Sequence, residues 1–143
     1  PFALFGLVFL LLYDLRGGLM ASIVYALIVS FEWLIKRTLK RPRPFTLIPG
    51  AEMSQPKEPQ DPSFPSGDAL RIWYLALILP LSLGLPPTLI LLSGSLALVV
   101  SLGRIAMGVH FPLDVIAGSG IGLIGAGIVQ QFIISSYQFP ILN

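Results

Sequence analysis

Long stretches without a charged residue are the feature of this sequence that most restricts its fold. Residues 72–103 and 115–143 contain no Asp, Glu, Lys or Arg, and neither do residues 1–13 and 17–31. An α-helix needs about 20 apolar residues to cross about 30 Å of hydrocarbon. Because backbone polar groups inside a bilayer must be paired within the protein, helices are the favoured structure. The pattern therefore predicts an all-α, polytopic transmembrane helical bundle.

The overall composition excludes the main alternatives. Of the 143 residues, 55% are hydrophobic and 11% are charged, whereas soluble domains contain about 25% charged residues. The apolar content is also too high for a disordered chain. With no cysteine and a single histidine, His110, the chain lacks the residues for a disulfide framework or a histidine metal cluster. We expect no metal, no other cofactor and no nucleic-acid partner.

The lengths of the uncharged runs predict about five membrane spans. The run of 32 residues at 72–103 is too long for one ordinary span, and residues 79–87 break it with three prolines and a glycine. Glycine and serine at 117–127 are typical of close packing between membrane helices. The predicted spans lie at about 18–36, 66–83, 87–104 and 111–137, and residues 1–13 have the character of the end of a further span.

The chain is predicted to form one membrane domain over residues 1–143, with a proline-rich loop outside the bilayer at about 42–65. Residues 40–65 hold seven of the thirteen prolines together with four acidic or basic side chains beyond position 50. A loop of that length without regular structure is usually functional or flexible. Because the sequence begins with Pro1 rather than Met, we expect it to start partway into a longer protein.

Counting the membrane crossings places three polar segments on the same side of the bilayer. These are residues 36–44, 65–71 and 104–114. Eight of the nine Lys and Arg residues lie on that side, and Arg16 lies on the other. A phosphate site and the positive-inside rule both favour such a cluster, so the membrane face that carries it stays open.

The residue types in these segments suit phosphoryl transfer. Arg and Lys bind phosphate oxygens, and the start of a helix at Ser66 and Gly67 offers free N–H groups to an anion. His110 and Asp114 are four residues apart, which places the carboxylate near the imidazole on the first turn of a helix. The carboxylate fixes the tautomer and leaves the other ring nitrogen free as a nucleophile. Cations can stabilise the transferring phosphoryl group without a metal.

The same segments resemble the signature motifs of the type 2 phosphatidic acid phosphatase (PAP2) superfamily of membrane phosphatases. The first motif of the family, K-x6-R-P, matches the segment from Lys36 to Arg43 and the following Pro44. The second, P-S-G-H, matches residues 65–67, but Asp68 stands where the family has histidine. Together with a third motif at residues 103–114, these motifs follow the order of the family, which is a specific signal. The resemblance covers about residues 36–114.

The third motif, S-R-x5-H-x3-D, matches at Arg104, His110 and Asp114, with Gly103 in place of serine. The resemblance implies that His110 is the nucleophile, that it forms a phosphohistidine, and that Asp114 orients it. The general acid of the family belongs at position 68, which makes Asp68 the third candidate catalytic residue. The residues that the resemblance implies for phosphate binding are Lys36, Arg43, Ser66, Gly67 and Arg104.

Asp68 bears on which substrate the site would favour. An aspartate has an ordinary pKa of about 3.9, which neighbouring Arg and Lys side chains would lower and burial would raise. Such a poor acid matters most for an alkoxide leaving group, whereas a phosphate leaving group has a second pKa of about 6. The resemblance and this substitution together predict an integral-membrane lipid phosphate or diphosphate phosphatase, favouring polyisoprenyl diphosphates.

Two other interpretations remain open. In the first, the chain is a weak or inactive PAP2-like protein that serves as a lipid-binding or structural subunit of a membrane complex, and Asp68 pairs with Arg71 at i,i+3. In the second, it is part of a transporter or channel, although no inverted repeat is visible in the sequence. In all three interpretations Glu32 is expected to pair with Lys36 at i,i+4 on a helix surface.

Overall fold

The computed structural model describes residues 15–50 and 52–138, and this part of the chain is helical, as predicted. The side chains of residues 136–138 are outside the description. Four long helices and one short helix follow one another without a strand in the described ranges. They are α1 (Leu15–Leu39), α2 (Pro44–Leu47), α3 (Gly67–Ser82), α4 (Pro87–Ala106) and α5 (Pro112–Gln138).

The helix boundaries follow local sequence signals. Proline occupies the first position of α4 and of α5, where its fixed φ angle and missing N–H are tolerated. Ser66 precedes α3, and its hydroxyl accepts a hydrogen bond from the amide of Ala69 at 3.4 Å, which satisfies one free N–H of the first turn. The break lies where the predicted spans end and begin, at about 83 and 87: α3 continues through Pro80 to Ser82, Gly84 turns the chain at φ +60°, and α4 begins at Pro87.

Three helical segments of the described residues are long and apolar enough to cross a membrane, which fits an integral membrane protein. They comprise residues 15–47, 87–106 and 112–135. The 16 residues of α3 extend only about 24 Å at 1.5 Å per residue, less than the bilayer core. The predicted count of about five spans is therefore not confirmed, and the span predicted to end in residues 1–13 lies outside the described residues.

Helices α3 and α5 pack closely because glycines face the backbone of α3. A Cβ atom on Gly118 would lie 2.2 Å from the carbonyl oxygen of Ser66, and one on Gly122 would lie 2.3 Å from that of Leu70. Both glycines belong to the segment predicted to allow close packing. The buried Tyr74 ties α3 to α1, since its hydroxyl donates to the carbonyl oxygen of Ala21 at 2.7 Å.

The connection between α2 and α3 folds back onto the helix ends instead of extending away from them. The amide of Ser63 donates to the carbonyl oxygen of Arg41 at 2.9 Å, and its hydroxyl donates to that of Pro42 at 3.0 Å. The amide of Ser54 donates to the carbonyl oxygen of Met107 at 3.3 Å. These bonds hold the proline-rich connection across the ends of α1 and α4.

Candidate active site

A strongly polar cavity of about 230 Å³ lies where the ends of α1, α3 and α4 meet the connection. The three polar segments that were predicted to lie on one side of the membrane, residues 36–44, 65–71 and 104–114, all contribute to this cavity. Four cations, three carboxylates and the single histidine face this space. The lining residues are Lys36, Arg43, Arg71, Arg104, Glu32, Asp61, Asp68, His110, Gly67, Gln55 and Pro59.

His110 lies in the turn between α4 and α5 and is 3% exposed. Its Nδ1 atom is 3.7 Å from Oδ2 of Asp114, and its Nε2 atom is 3.4 Å from Nη1 of Arg43. The first distance exceeds a hydrogen bond, although catalytic hydrogen bonds in sites without substrate are often long. The geometry suits a tautomer with the proton on Nδ1, facing the carboxylate, and a lone pair on Nε2.

The environment of His110 keeps its imidazole neutral. Burial lowers the pKa of His110 from 6.5 to about 4, and the charge of Arg43 acts in the same direction. Arg104 and Lys36 add smaller effects of the same sign, whereas the carboxylate of Asp114 opposes them. A neutral imidazole has the lone pair that a nucleophile needs.

Asp114 is fully buried behind the histidine and is held from two directions. Its Oδ1 atom accepts from Nη1 of Arg41 at 2.7 Å, and its Oδ2 atom accepts from the amide of Phe111 at 2.9 Å. Its backbone carbonyl oxygen accepts from the amide of Ser66 at 2.9 Å, which joins the start of α5 to the start of α3. Ser66 itself is buried as the cap of α3 and does not line the cavity.

Lys36 and Arg43 share a carboxylate that the sequence did not single out. Asp61 accepts from Nη2 of Arg43 at 2.9 Å through Oδ1 and from the ammonium group of Lys36 through Oδ2. Arg43 also donates to the carbonyl oxygens of Asp61 and Val109, each at 2.9 Å. Partial burial would raise the pKa of Asp61, but its hydrogen bond to Lys36 and the charges of Lys36 and Arg43 lower it.

The ion pairs around α3 differ from the prediction. Asp68 does not pair with Arg71: its Oδ2 atom is 2.9 Å from Nη2 of Arg104, on α4. Arg71 instead reaches Oε2 of Glu32 on α1 at 2.9 Å. Both observed pairs join α3 to a neighbouring helix at the cavity, Asp68 to Arg104 on α4 and Arg71 to Glu32 on α1, and they replace the predicted pair within α3. The predicted pair of Glu32 with Lys36 is confirmed at 3.2 Å.

Sequence reasoning did not identify every part of the site as functional. The parts it missed are Asp61, Gln55, Arg41 and the Glu32–Arg71 pair. Gln55 lines the cavity, and its carbonyl oxygen is buried with no hydrogen-bond partner among the described residues. Glu32 is the single acid of α1, and this was the one signal that could have drawn attention to it. Within residues 15–50 and 52–138, no group of three or more His, Asp or Glu side chains is placed to hold a metal ion.

Curated relatives of this chain are phosphatases. It is 35% identical over 101 residues to an undecaprenyl-diphosphatase of Sulfolobus acidocaldarius. The aligned region covers 71% of this chain and 48% of that protein. It is 32% identical over 117 residues to a decaprenylphosphoryl-5-phosphoribose phosphatase of Mycobacterium tuberculosis, covering 82% and 59% respectively. The chain thus spans about half of the length of these curated relatives.

Solved structures share the arrangement of helices. The crystal structure of Aquifex aeolicus LpxE superposes with a TM-score of 0.74 at 29% identity, covering 87% of this chain and 73% of that one. A PAP2-type phosphatidylglycerolphosphate phosphatase from Bacillus subtilis gives a TM-score of 0.70 at 22% identity, covering 99% and 70%, and supports the fold alone. The sequence model of the PAP2 superfamily matches residues 15–136. The chain therefore belongs to the PAP2 superfamily of membrane phosphatases.

Proposed function

We propose that this chain hydrolyses lipid phosphates or diphosphates at the membrane through a phosphohistidine formed on His110. The observation that carries the proposal is the cavity that joins His110, backed by Asp114, to cations from three separate segments. The named activities of the relatives, which include a diphosphatase and a phosphatase of polyprenyl-linked compounds, support the same class of reaction. The expected partners are the lipid substrate and the surrounding membrane lipids.

The first step is attack by Nε2 of His110 on phosphorus, with the leaving oxygen departing on the opposite side. Asp114 accepts the Nδ1–H and stabilises the positive charge that develops on the ring. The predicted phosphate ligands Lys36, Arg43 and Arg104 face the same space and would hold the non-bridging oxygens. Amide groups at the start of α3 are further candidate donors, beside the Arg71 and Glu32 side chains that fill the space over Gly67.

The second step is hydrolysis of the phosphohistidine. A water oxygen forms a bond to phosphorus as the P–N bond breaks, and the electron pair returns to Nε2 of His110. The water proton passes to solvent or to a carboxylate at the cavity, and inorganic phosphate leaves. Asp68, 54% exposed at its side chain, is the candidate proton carrier at the position of the family's histidine.

The pairing of Asp68 favours diphosphate substrates. Its carboxylate lies 2.9 Å from the Arg104 guanidinium, so the group at the position of the family's acid is engaged in an ion pair. A lipid alkoxide would need a proton to depart, whereas a lipid phosphate with a second pKa of about 6 would not. We therefore expect polyisoprenyl diphosphates to be preferred over monoesters of lipid alcohols.

The test is phosphate release by the purified protein in detergent, without added metal. Farnesyl diphosphate and phosphatidic acid serve as substrates, and a His110→Ala variant of verified helical content serves as the inactive control. Release that disappears in the control supports the proposal. Release that persists in His110→Ala refutes the nucleophile, and faster release from phosphatidic acid refutes the preference.

A second candidate function is that of a lipid-binding or structural subunit, and three ion pairs favour it. Asp61 occupies both Lys36 and Arg43, and Asp68 occupies Arg104, so the predicted phosphate ligands are already paired with carboxylates. An Asp68→His variant separates the two functions. Activity gained only in this variant indicates a site that lacks its acid, and inactivity in both forms supports the structural function.

A further inference from the structure

Arg71 stands at the junction between the polar cavity and a second cavity that leads toward the apolar surface. The second cavity has a volume of about 420 Å³ and shares Arg71, Glu32, Lys36 and Asp61 with the first. Its remaining lining includes Trp33 on α1. An anion that extends from the first cavity into the second passes these four shared residues, of which Arg71 and Lys36 are cations.

The second cavity continues along α1 into a third of about 440 Å³, lined by Val29, Ser30, Trp33 and Leu34. Trp33 is 53% exposed and Leu34 is 55% exposed, on a helix long and apolar enough to span a membrane. This face therefore suits a lipid chain. Arg71, on α3, lines the cavity that lies between this apolar face and the cavity that holds His110.

The guanidinium of Arg71 lies against the start of α3 because Gly67 has no side chain. A Cβ atom at Gly67 would be 2.2 Å from Nη1 of Arg71 and 2.3 Å from Oε1 of Glu32. The two oxygens of Glu32 contact Lys36 at 3.2 Å and Arg71 at 2.9 Å. One small anionic group thus reaches both cations, so a compact substrate with two phosphates can do the same.

We infer that Arg71 binds the second, lipid-linked phosphate of a diphosphate substrate while the terminal phosphate is held at His110. This inference rests on the proposed function and adds a residue that selects diphosphates over monophosphates. When Nε2 of His110 bonds to the terminal phosphorus, the bond from that phosphorus to the bridging oxygen breaks. The electron pair stays on the bridging oxygen, and the lipid monophosphate leaves without a proton.

Arg71 offsets the negative charge that accumulates on this leaving phosphate. A guanidinium presents five N–H donors in a planar fork, of which Nη2 contacts Glu32 in the absence of substrate. Stabilising the departing phosphate in this way reduces the need for a general acid, which fits a site with aspartate in place of histidine at position 68. The selectivity for diphosphates would then come from charge rather than from proton donation.

The experiment compares farnesyl diphosphate with farnesyl monophosphate, which share one chain. Arg71→Met should lower kcat/KM for the diphosphate by about 10- to 100-fold, the range for a lost hydrogen bond to a charged group, and that for the monophosphate by about 2-fold at most. Arg16→Met, an exposed arginine at the other end of α1, should change neither value. Equal losses for both substrates, or no loss, would overturn the inference.

A binding measurement separates this inference from the proposed function. Isothermal titration calorimetry of the purified protein with inorganic pyrophosphate and inorganic phosphate needs no turnover. Arg71→Met should reduce the affinity for pyrophosphate to about that for phosphate and leave phosphate binding unchanged. The double variant Glu32→Gln/Arg71→Met, which removes the charge of Glu32 together with its arginine partner, should likewise bind pyrophosphate no more tightly than phosphate. Unaltered pyrophosphate binding in both variants refutes the inference even if the protein is an active phosphatase.

Discussion

Removing the Asp61 charge should tighten the binding of phosphate. Asp61 accepts from Lys36 and Arg43, the two residues of the first motif that are expected to bind the substrate phosphate. A phosphate that binds there must displace or share this carboxylate. Asp61→Asn removes the competing charge and keeps the size of the side chain, so the two cations become available to the substrate.

The magnitude follows from the two contacts and their exposure. The Asp61 side chain is 52% exposed, so each ion pair contributes roughly 0.5–1 kcal/mol after solvent screening. The two together amount to about 1–2 kcal/mol, which corresponds to a factor of about 5 to 30 in affinity. Lys36 keeps Glu32 and Arg43 keeps the carbonyl of Val109, so the variant should fold.

The assay is the inhibition constant of inorganic phosphate together with KM for farnesyl diphosphate. Both should fall in Asp61→Asn by the factor given above, with a smaller change in kcat. Glu58→Gln is the matched control, because it removes the same charge from an exposed position of the same connection. A rise in the inhibition constant would refute the reasoning, since it would mean that Asp61 positions the cations for phosphate rather than competing for them.

Two further predictions concern the histidine and the helix packing. Because His110 is the single histidine, its imidazole resonances in a tag-free protein can be followed by NMR, and we expect a midpoint near the pKa of about 4. A midpoint near 6.5 would contradict the description of a buried ring flanked by cations. A lowered pKa in the folded state also means that the histidine of the unfolded chain is protonated at a higher pH. The free energy of unfolding should therefore fall as the pH decreases from about 6.5 toward 4. Gly122→Ala should destabilise the protein by about 1–3 kcal/mol in thermal unfolding, since its Cβ would lie 2.3 Å from the Leu70 carbonyl oxygen. Gly120→Ala, with no atom within 4 Å of its Cβ, should be nearly neutral, and equal effects would contradict the packing argument.

Much of the helical framework could be predicted because its determinants are local. Proline at positions 87 and 112 begins two helices, close to the predicted span starts at 87 and 111, and Ser66 caps a third. Counting crossings brought the three motif segments to one side, and the structure places them around one cavity. The number of membrane spans was harder to predict from the sequence, because it depends on α3, whose 16 residues are few for crossing a bilayer.

The partners of the charged residues could not be predicted in the same way. Sequence spacing favours pairs one turn apart, which succeeded for Glu32 and Lys36 and failed for Asp68. A long arginine side chain near helix ends has several acids within reach, and tertiary packing decides among them. The position of Asp61 depends on how the connection folds back through backbone hydrogen bonds such as that of Ser63 to Arg41, and no local pattern specifies these bonds.

The charge balance of the cavity determines which anions it can accept. Four cations and three carboxylates line it, and each cation has a carboxylate partner among the described residues. An incoming anion therefore exchanges with existing ion pairs rather than filling an uncompensated positive site. A singly charged group gains little from this exchange, because it replaces one carboxylate by an equivalent charge. A group with several charges gains from every additional cation that it reaches, so under the proposed function we expect the carboxylates to favour highly charged headgroups such as a diphosphate.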